Sequence, residues 1–133
     1  MRRLLASVVF LLAVSLLGCS TGADGYPVAG TVEWTGGDLT GHLVEASLVS
    51  DPTVRGFGTI GSGGRFTLER LVDGKPARGL LAGDYQARLI LNDEGDGQTK
   101  RPKIPARYLD AKTAGWKLKV PTTGDVTLSV SAK

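Results

Sequence analysis

Asp84-Tyr85-Gln86-Ala87-Arg88-Leu89-Ile90-Leu91 is the stretch that decides the fold class. Its residues 85, 87, 89 and 91 are apolar and recur at every second position, which is the period of a β-strand. An amphipathic helix would instead repeat its apolar face every 3.6 residues. The stretch therefore predicts a strand with one face directed at a core.

The same two-residue period recurs along most of the chain after residue 25. It predicts strands at residues 26–34, 43–49, 55–60, 65–70, 84–91, 116–120 and 126–130. Residues 55–60 and 65–70 are expected to form a hairpin. Residues 71–81 predict a loop with a turn of helix, and residues 92–105 predict a polar loop. About seven short strands separated by turn residues predict an all-β fold, an antiparallel β-sandwich of about one hundred residues.

The first eighteen residues have the pattern of a signal peptide. Met1-Arg2-Arg3 supplies a positive start, and fourteen mostly apolar residues follow from Leu4 to Leu17. As a helix, this stretch would rise about 21 Å, which is short of the roughly 30 Å hydrocarbon core of a bilayer. We therefore expect residues 1–18 to be a cleaved secretory signal.

Leu16-Leu17-Gly18-Cys19 resembles the lipobox of bacterial lipoproteins. The resemblance implies that the Cys19 thiol receives a diacylglyceryl group, that cleavage follows Gly18, and that the new amino terminus is acylated. Two or three acyl chains, at about 0.8 kcal/mol per buried CH₂, hold a protein stably on a membrane. Residues 19–25 would then form a flexible tether to a domain at residues 26–133. The alternatives are a conventional cleavage site and an uncleaved anchor.

The charge of the chain changes when the signal leaves. The 133 residues carry 16 basic and 13 acidic side chains, so loss of Arg2 and Arg3 lowers the net charge from +3 to +1. A nearly neutral exported domain lacks the basic surface of nucleic-acid-binding proteins, and we expect no such partner. The expected location is the bacterial cell envelope. The outer membrane is favoured if there are two membranes, because Ser20 rather than Asp follows Cys19.

Four motifs, in this order, resemble those of the carboxypeptidase regulatory-like domain. They are Val28-Ala29-Gly30-Thr31-Val32, Gly64-Arg65-Phe66-Thr67-Leu68, Ala82-Gly83-Asp84-Tyr85 and Ile104-Pro105-Ala106-Arg107-Tyr108. The similarity covers roughly residues 26–130 and implies a transthyretin-like β-sandwich in a small bacterial lipoprotein. The usual acidic residues of the third turn are replaced by Gly61, Ser62 and Gly63. The carboxypeptidase of the name is a separate domain, so the resemblance implies no catalytic residues.

Motifs that suggest catalysis or cofactor binding are incomplete in this sequence. Residues 56–61 spell G-x-G-x-x-G, but a strand pattern follows where a dinucleotide motif needs a helix N-terminus. Residues 92–97 resemble the start of an EF-hand, yet Lys103 stands where Ca²⁺ needs a bidentate Glu. A nucleophile elbow needs glycine two residues before the serine, but Ile60 stands two residues before Ser62, and His42 is the only histidine. We expect no enzyme activity, no cofactor and no metal; weak metal binding at residues 92–97 is the alternative.

The candidate binding residues form a basic group and an aromatic group. The basic group, which could dock on an anionic polymer or lipid head group, is Lys100, Arg101, Lys103 and Arg107. A solvated loop balanced by nearby acidic residues is the alternative. The aromatic group, which would stack on sugars if it were exposed, is Trp34, Trp116 and Tyr108. Both tryptophans are in phase with core positions, which favours burial.

Together these features predict a membrane-anchored, non-catalytic lipoprotein of the cell envelope. Its domain would serve as a structural or protein-interaction module, since a β-sandwich offers loops and edge strands to a partner. The alternative is a carbohydrate-binding module at the cell surface. The expected partners are therefore the membrane, through the lipid anchor, and an envelope protein or glycan.

Overall fold

Two β-sheets enclose the apolar core of the described chain. The structure, a computed structural model, describes residues 25–92 and 102–132 and is mostly β, with 46% strand and 11% helix. Its strands are β1 Ala29–Glu33, β2 Leu43–Leu48, β3 Arg55–Thr59, β4 Arg65–Thr67, β5 Glu69–Val72, β6 Lys75–Arg78, β7 Gly83–Ile90, β8 Trp116–Val120 and β9 Val126–Ser129. The helical segments are 3₁₀ turns at Ser62–Gly64 and Ala106–Leu109 and one short helix, α1, at Ala111–Ala114.

The larger sheet has six strands and the smaller sheet has three. The larger sheet runs β6-β5-β3-β2-β7-β8, and all its neighbouring strands are antiparallel. The smaller sheet runs β4-β1-β9, in which β1 is antiparallel to β4 and parallel to β9. The predicted all-β sandwich is confirmed. The parallel pair departs from the antiparallel prediction because β8 and β9 lie in different sheets, so β9 does not return as a hairpin partner.

Strand β7 shows the alternation on which the fold prediction rests. Tyr85, Ala87 and Leu89 are almost completely buried, whereas Gln86 and Arg88 point to the other side of the sheet and are half-buried. β7 lies between β2 and β8 and pairs with β2 over six residues. The core facing it also contains Val28, Val32, Val44, Ala46, Ile60, Phe66, Leu68, Leu80, Leu118, Val120 and Leu128.

The predicted strand at residues 65–70 is divided between the two sheets. β4 pairs with β1 in the smaller sheet, and β5 pairs with β3 in the larger sheet. Leu68 lies between them, is fully buried, and donates its backbone N–H to the Val28 carbonyl at 2.9 Å. A Cβ at Gly58 would collide with the Thr67 carbonyl oxygen, so glycine is required where β3 passes this crossing. The predicted hairpin is therefore retained only in the β3–β5 pair.

The loop predicted at residues 71–81 is wrong, because this region forms a hairpin between β5 and β6. The strands are joined by Asp73 and Gly74, both with positive φ, at 52° and 77°. Asp-Gly is a preferred pair for such two-residue hairpin turns, since both positions need positive φ. These two added strands bring the described total to nine. The hairpin forms one edge of the larger sheet.

Two parts of the predicted organisation lie outside the described residues. These are the signal and most of the tether, residues 1–24, and most of the predicted polar loop, residues 93–101. Within residues 25–92 and 102–132, no helix has the length and apolar character needed to cross a bilayer.

Substitutions of Leu68 and Leu71 test how much the passage of the chain between the two sheets at Leu68 contributes to stability. Leu68→Ala should lower the free energy of unfolding by about 2–5 kcal/mol, because it leaves a cavity in the core. Leu71→Ala is the matched control, since Leu71 is 61% exposed and its truncation should change stability by about 0.5 kcal/mol or less. Urea unfolding followed by tryptophan fluorescence measures both. Equal losses in the two variants would contradict this assignment of the crossing.

Candidate functional site

The predicted basic group does not form one free cationic surface in the described residues. Lys100 and Arg101 lie outside them, as does Cys19. Lys103 is exposed, whereas Arg107 is only partly exposed and is engaged by the protein. The guanidinium of Arg107 donates to the Ser131 carbonyl at 2.7 Å and to the Tyr108 hydroxyl at 2.9 Å.

Arg107 and Tyr108 hold the end of the described chain against the domain. The Arg107 guanidinium carbon lies 4.6 Å from the centre of the Tyr108 ring, and the Tyr108 hydroxyl accepts the Ser131 N–H at 2.8 Å. Burial raises the pKa of the Tyr108 phenol, but the Ser131 backbone and the Arg107 guanidinium together lower that pKa below its ordinary value. These contacts give Arg107 a structural role, which corrects its assignment to a docking surface.

Trp116 and Tyr108 are core residues, as the phase of Trp116 with core positions favoured, which corrects their assignment to a possible ligand surface. They are 8% and 5% exposed, and their rings stack with centres 5.0 Å apart. The Trp116 indole N–H donates to the Ser129 carbonyl at 3.1 Å, so Trp116 joins β8 of one sheet to β9 of the other. Their faces are covered by protein, and a sugar cannot stack on them.

Trp34 is the aromatic candidate that reaches the surface. It is half-buried against the core, and glycines 36 and 37 pack closely on its ring. It lines a depression of about 690 Å³ together with polar residues. The polar lining includes Glu33, Thr35, Asp38, Thr40 and Ser62. An indole beside hydroxyl and carboxylate groups is suited to stacking on a sugar while bonding its hydroxyls.

His42 takes the role of a turn residue. Its backbone N–H donates to the Leu39 carbonyl at 3.1 Å, and its Nδ1 accepts the Asn92 N–H at 2.9 Å. His42 thus fastens the end of β7 to the start of β2. Among the described residues no group of three or more His, Cys, Asp and Glu is arranged to hold a metal ion.

Glu45 is a buried carboxylate that sequence analysis did not single out. Val44 and Ala46 point into the core, so Glu45 points to the outer face of the larger sheet, yet only 4% of Glu45 is exposed. One carboxylate oxygen accepts from Nε of Arg88 at 2.9 Å. The other lies 3.8 Å from a guanidinium nitrogen of Arg55. These three residues form a charged cluster.

The charged cluster depends on the register of three strands. Glu45 stands opposite Arg88 on β7 and opposite Phe57 on β3. Arg88 also donates to the Leu109 carbonyl at 3.3 Å, and Nε of Arg55 donates to the Pro52 carbonyl at 2.8 Å. The alternation in β2 predicts the outward direction of Glu45. It does not predict these partners, because cross-strand register is set by pairing between distant segments.

A shallow depression of about 640 Å³ lies beside the charged cluster on the outer face. Its lining includes Leu43, Phe57, Thr59, Thr67, Glu69 and Leu71. The cluster supplies one carboxylate and two guanidinium groups, and the side chains of Arg55 and Arg88 are 47% and 35% exposed. Guanidinium groups present planar donors to carboxylates, and the apolar floor offers area to bury. This combination is suited to binding a protein surface.

The chain matches no protein-family model, no curated protein and no solved structure.

Substitution of Glu45 tests how much the charged cluster contributes to the stability of the domain. Glu45→Gln keeps the side-chain shape but removes the charge that two arginines share, so it should lower the free energy of unfolding by about 1–3 kcal/mol. Glu69→Gln is the matched control, because Glu69 is exposed on the same face and should change stability by about 0.5 kcal/mol or less. Urea denaturation compares them, and equal effects would contradict a structural role for the cluster.

Proposed function

We propose that this protein is an exported lipoprotein, anchored through Cys19, whose β-sandwich is a non-catalytic interaction module of the cell envelope. The observation that carries the anchoring is the lipobox-like Leu16-Leu17-Gly18-Cys19 after a short apolar segment. Five residues, Ser20 to Asp24, separate Cys19 from Gly25, where the described domain begins. Lipidation at Cys19 would therefore hold the sandwich close to a membrane, with the outer membrane favoured if there are two.

The partner surface in this proposal is the outer face of the larger sheet. It carries the charged cluster of Glu45, Arg55 and Arg88 beside the apolar depression that contains Phe57. A buried carboxylate fixes the two partly exposed guanidinium groups in place. Fixed charges give orientation and specificity to association, while the neighbouring apolar surface supplies area to bury.

The family assignment is likewise a proposal. The motifs at residues 28–32, 64–68, 82–85 and 104–108 support a carboxypeptidase regulatory-like domain. The two-sheet β-sandwich is compatible with the transthyretin-like architecture that this assignment implies.

The anchoring proposal predicts that Cys19→Ser abolishes lipidation. The wild-type chain should fractionate with membranes, and the mass of its N-terminal peptide should show cleavage after Gly18 with acyl groups on Cys19. The variant should lose the acyl mass, since serine has no thiol for diacylglyceryl transfer. Ser20→Ala is the matched control and should remain lipidated. A wild-type chain with an unmodified Cys19 would contradict the proposal.

The partner proposal predicts a site-specific crosslink. A benzoylphenylalanine in place of Phe57, in the lipidated protein in living cells, should give an adduct of discrete size upon illumination. The same group in place of Thr127, which is exposed on β9 of the other sheet, is the control and should not. Arg55→Glu should reduce the Phe57 adduct several-fold because it reverses a charge of the cluster. Absence of any adduct at Phe57 would argue against this surface.

The depression at Trp34 supports a second candidate, a glycan-binding function. The supporting observation is one partly exposed indole within a polar lining. Titration with cell-envelope glycans should then change the tryptophan fluorescence of the wild-type chain, and Trp34→Phe should remove that change. The buried Trp116 remains as an internal reference. A saturable change together with a missing Phe57 adduct would favour glycan binding over the protein partner.

A further inference from the structure

The large apolar side chains exposed to solvent are concentrated around the place where the chain joins the sandwich. Four of the five in the described residues, Tyr26, Leu71, Val72 and Leu81, are 41–61% exposed. We call these four residues the apolar patch. The fifth, Val49, is 54% exposed and lies elsewhere, where its N–H donates to the Asp84 carbonyl. Tyr26 pairs with Leu80, the residue directly before Leu81. Scattered exposed apolar residues are ordinary, but a set gathered at one place marks a surface that binds something apolar.

Strand pairing brings the other two patch residues to the same place. The Gly25 N–H donates to the Arg78 carbonyl, at the end of β6. Leu71 stands opposite Pro76, two residues before Arg78 on β6. Two residues span about 7 Å along a strand, and neighbouring strands lie about 5 Å apart, so Leu71 lies roughly 9 Å from Arg78, which holds Gly25. Val72 follows Leu71 at the end of β5, one residue further from the junction, and as the next residue of the strand it points to the opposite face of this edge.

The junction itself is fixed by hydrogen bonds. Besides the 3.0 Å bond from Gly25, the Tyr26 N–H donates to the Leu80 carbonyl at 2.8 Å, and the Leu80 N–H donates back at 2.9 Å. Arg70, only 7% exposed, donates to the Arg78 and Gly79 carbonyls at 2.9 and 3.2 Å. From Gly25 onward, the chain is therefore held against the β5–β6 hairpin.

The chain before the junction is too short to let the opposite side of the domain face the membrane. Six Cα–Cα steps join Cys19 to Gly25, and a fully extended chain spans at most about 3.3–3.6 Å per residue, or roughly 21 Å. A domain of about 100 residues has a radius of gyration near 13 Å and is roughly 35 Å across. The tether is therefore shorter than the domain is wide, and the side opposite Gly25 cannot rest on the membrane that holds an anchored Cys19.

We propose that the apolar patch of Tyr26, Leu71, Val72 and Leu81 rests in the head-group region of the bilayer that holds Cys19. This inference rests on the proposed lipidation. A lipid surface fits the patch because tyrosine prefers the interface between membrane and water. Lys75 and Arg78 on β6 flank the patch, and their stems can lie on apolar surface while their charges reach lipid phosphates. The short connection keeps the local lipid concentration high.

The proposal also fixes how the domain stands on the membrane. β6 is at one edge of the larger sheet and β8 is at the other, five strand spacings away. At about 4.8 Å per spacing, β8 lies roughly 24 Å from β6. With the β5–β6 edge on the bilayer, Lys117 on β8 is therefore in water. The charged cluster and Phe57 remain open at the side, whereas Leu71, at the β5–β6 end of the depression beside them, lies on the bilayer.

Single labels on the full lipidated protein test this orientation. Cys19 is the only cysteine in the chain, so its lipidation leaves an introduced cysteine as the sole free thiol. Leu71→Cys and Val72→Cys place an environment-sensitive NBD fluorophore in the patch, and Lys117→Cys is the matched control on the far edge. Each protein is reconstituted in phosphatidylethanolamine–phosphatidylglycerol vesicles. Quenching is measured with head-group-proximal doxyl lipid and with aqueous iodide.

We expect NBD at residues 71 and 72 to be quenched by doxyl lipid roughly twofold or more above the level at residue 117, and to be shielded from iodide. Equal iodide access at all three positions would overturn the proposal. Shielding from iodide without quenching by doxyl lipid would mean that a second copy covers the patch, and it would also overturn the proposal. Flotation and the mass of the Cys19 peptide distinguish failure of the anchoring proposal from failure of this inference. Missing acyl groups would contradict both. An acylated protein with a water-exposed label would contradict this inference alone.

Discussion

The passage of the chain between the two sheets at Leu68 is the contact on which the rest of the structure depends. The three residues before Leu68 form β4 and pair with β1 in the smaller sheet. The residues after Leu68 form β5 and pair with β3 in the larger sheet. The side chain itself is completely buried, so the turn is held by the core. The close approach of the Thr67 carbonyl to Gly58 allows the crossing strand to pass over β3. This passage brings β5 next to β3, so that β5 and β6 extend the larger sheet.

The crossing also makes the two sheets unequal, and the inequality gives the domain its surfaces. Six strands face three, so the edge of the larger sheet formed by β5 and β6 carries side chains that are not needed to fill the core. Leu71 and Val72 are exposed for this reason, although Leu68 and Arg70 of the same segment are buried. On the outer face, Arg55 of β3 and Arg88 of β7 cover Glu45. One sheet therefore offers two different surfaces.

Sequence periodicity predicted the parts of the fold that are decided locally. Tyr85, Ala87 and Leu89 alternate with outward residues as expected, because the two-residue period follows from the backbone alone. The β5–β6 hairpin was missed, even though Asp73-Gly74 is the appropriate turn pair, because apolar residues in that segment do not alternate cleanly. The parallel pairing of β1 with β9 and the split of residues 65–70 join distant segments, and no local pattern encodes them.

The same distinction applies to the candidate site. The outward direction of Glu45 follows from its position between Val44 and Ala46, but its bonds to Arg55 and Arg88 require the register of three strands. From sequence, Trp116 could be a core residue or part of a sugar-binding surface. Alternation gives the face to which a side chain points, but it does not show whether other segments cover that side chain. Its burial follows from β9 and Tyr108, which pack over the indole from other parts of the chain.

Attachment and orientation are physically separate properties, and the junction at Gly25 is what can connect them in this protein. A lipid on a long linker would hold a domain near a membrane without choosing the side that faces it. Here the connection is shorter than the domain is wide, and Tyr26 is already paired with Leu80. Arg70 of β5 is bonded to the chain next to that junction, because its guanidinium donates to the Arg78 and Gly79 carbonyls. A pull on the anchor would therefore be carried into the larger sheet through its β5–β6 edge.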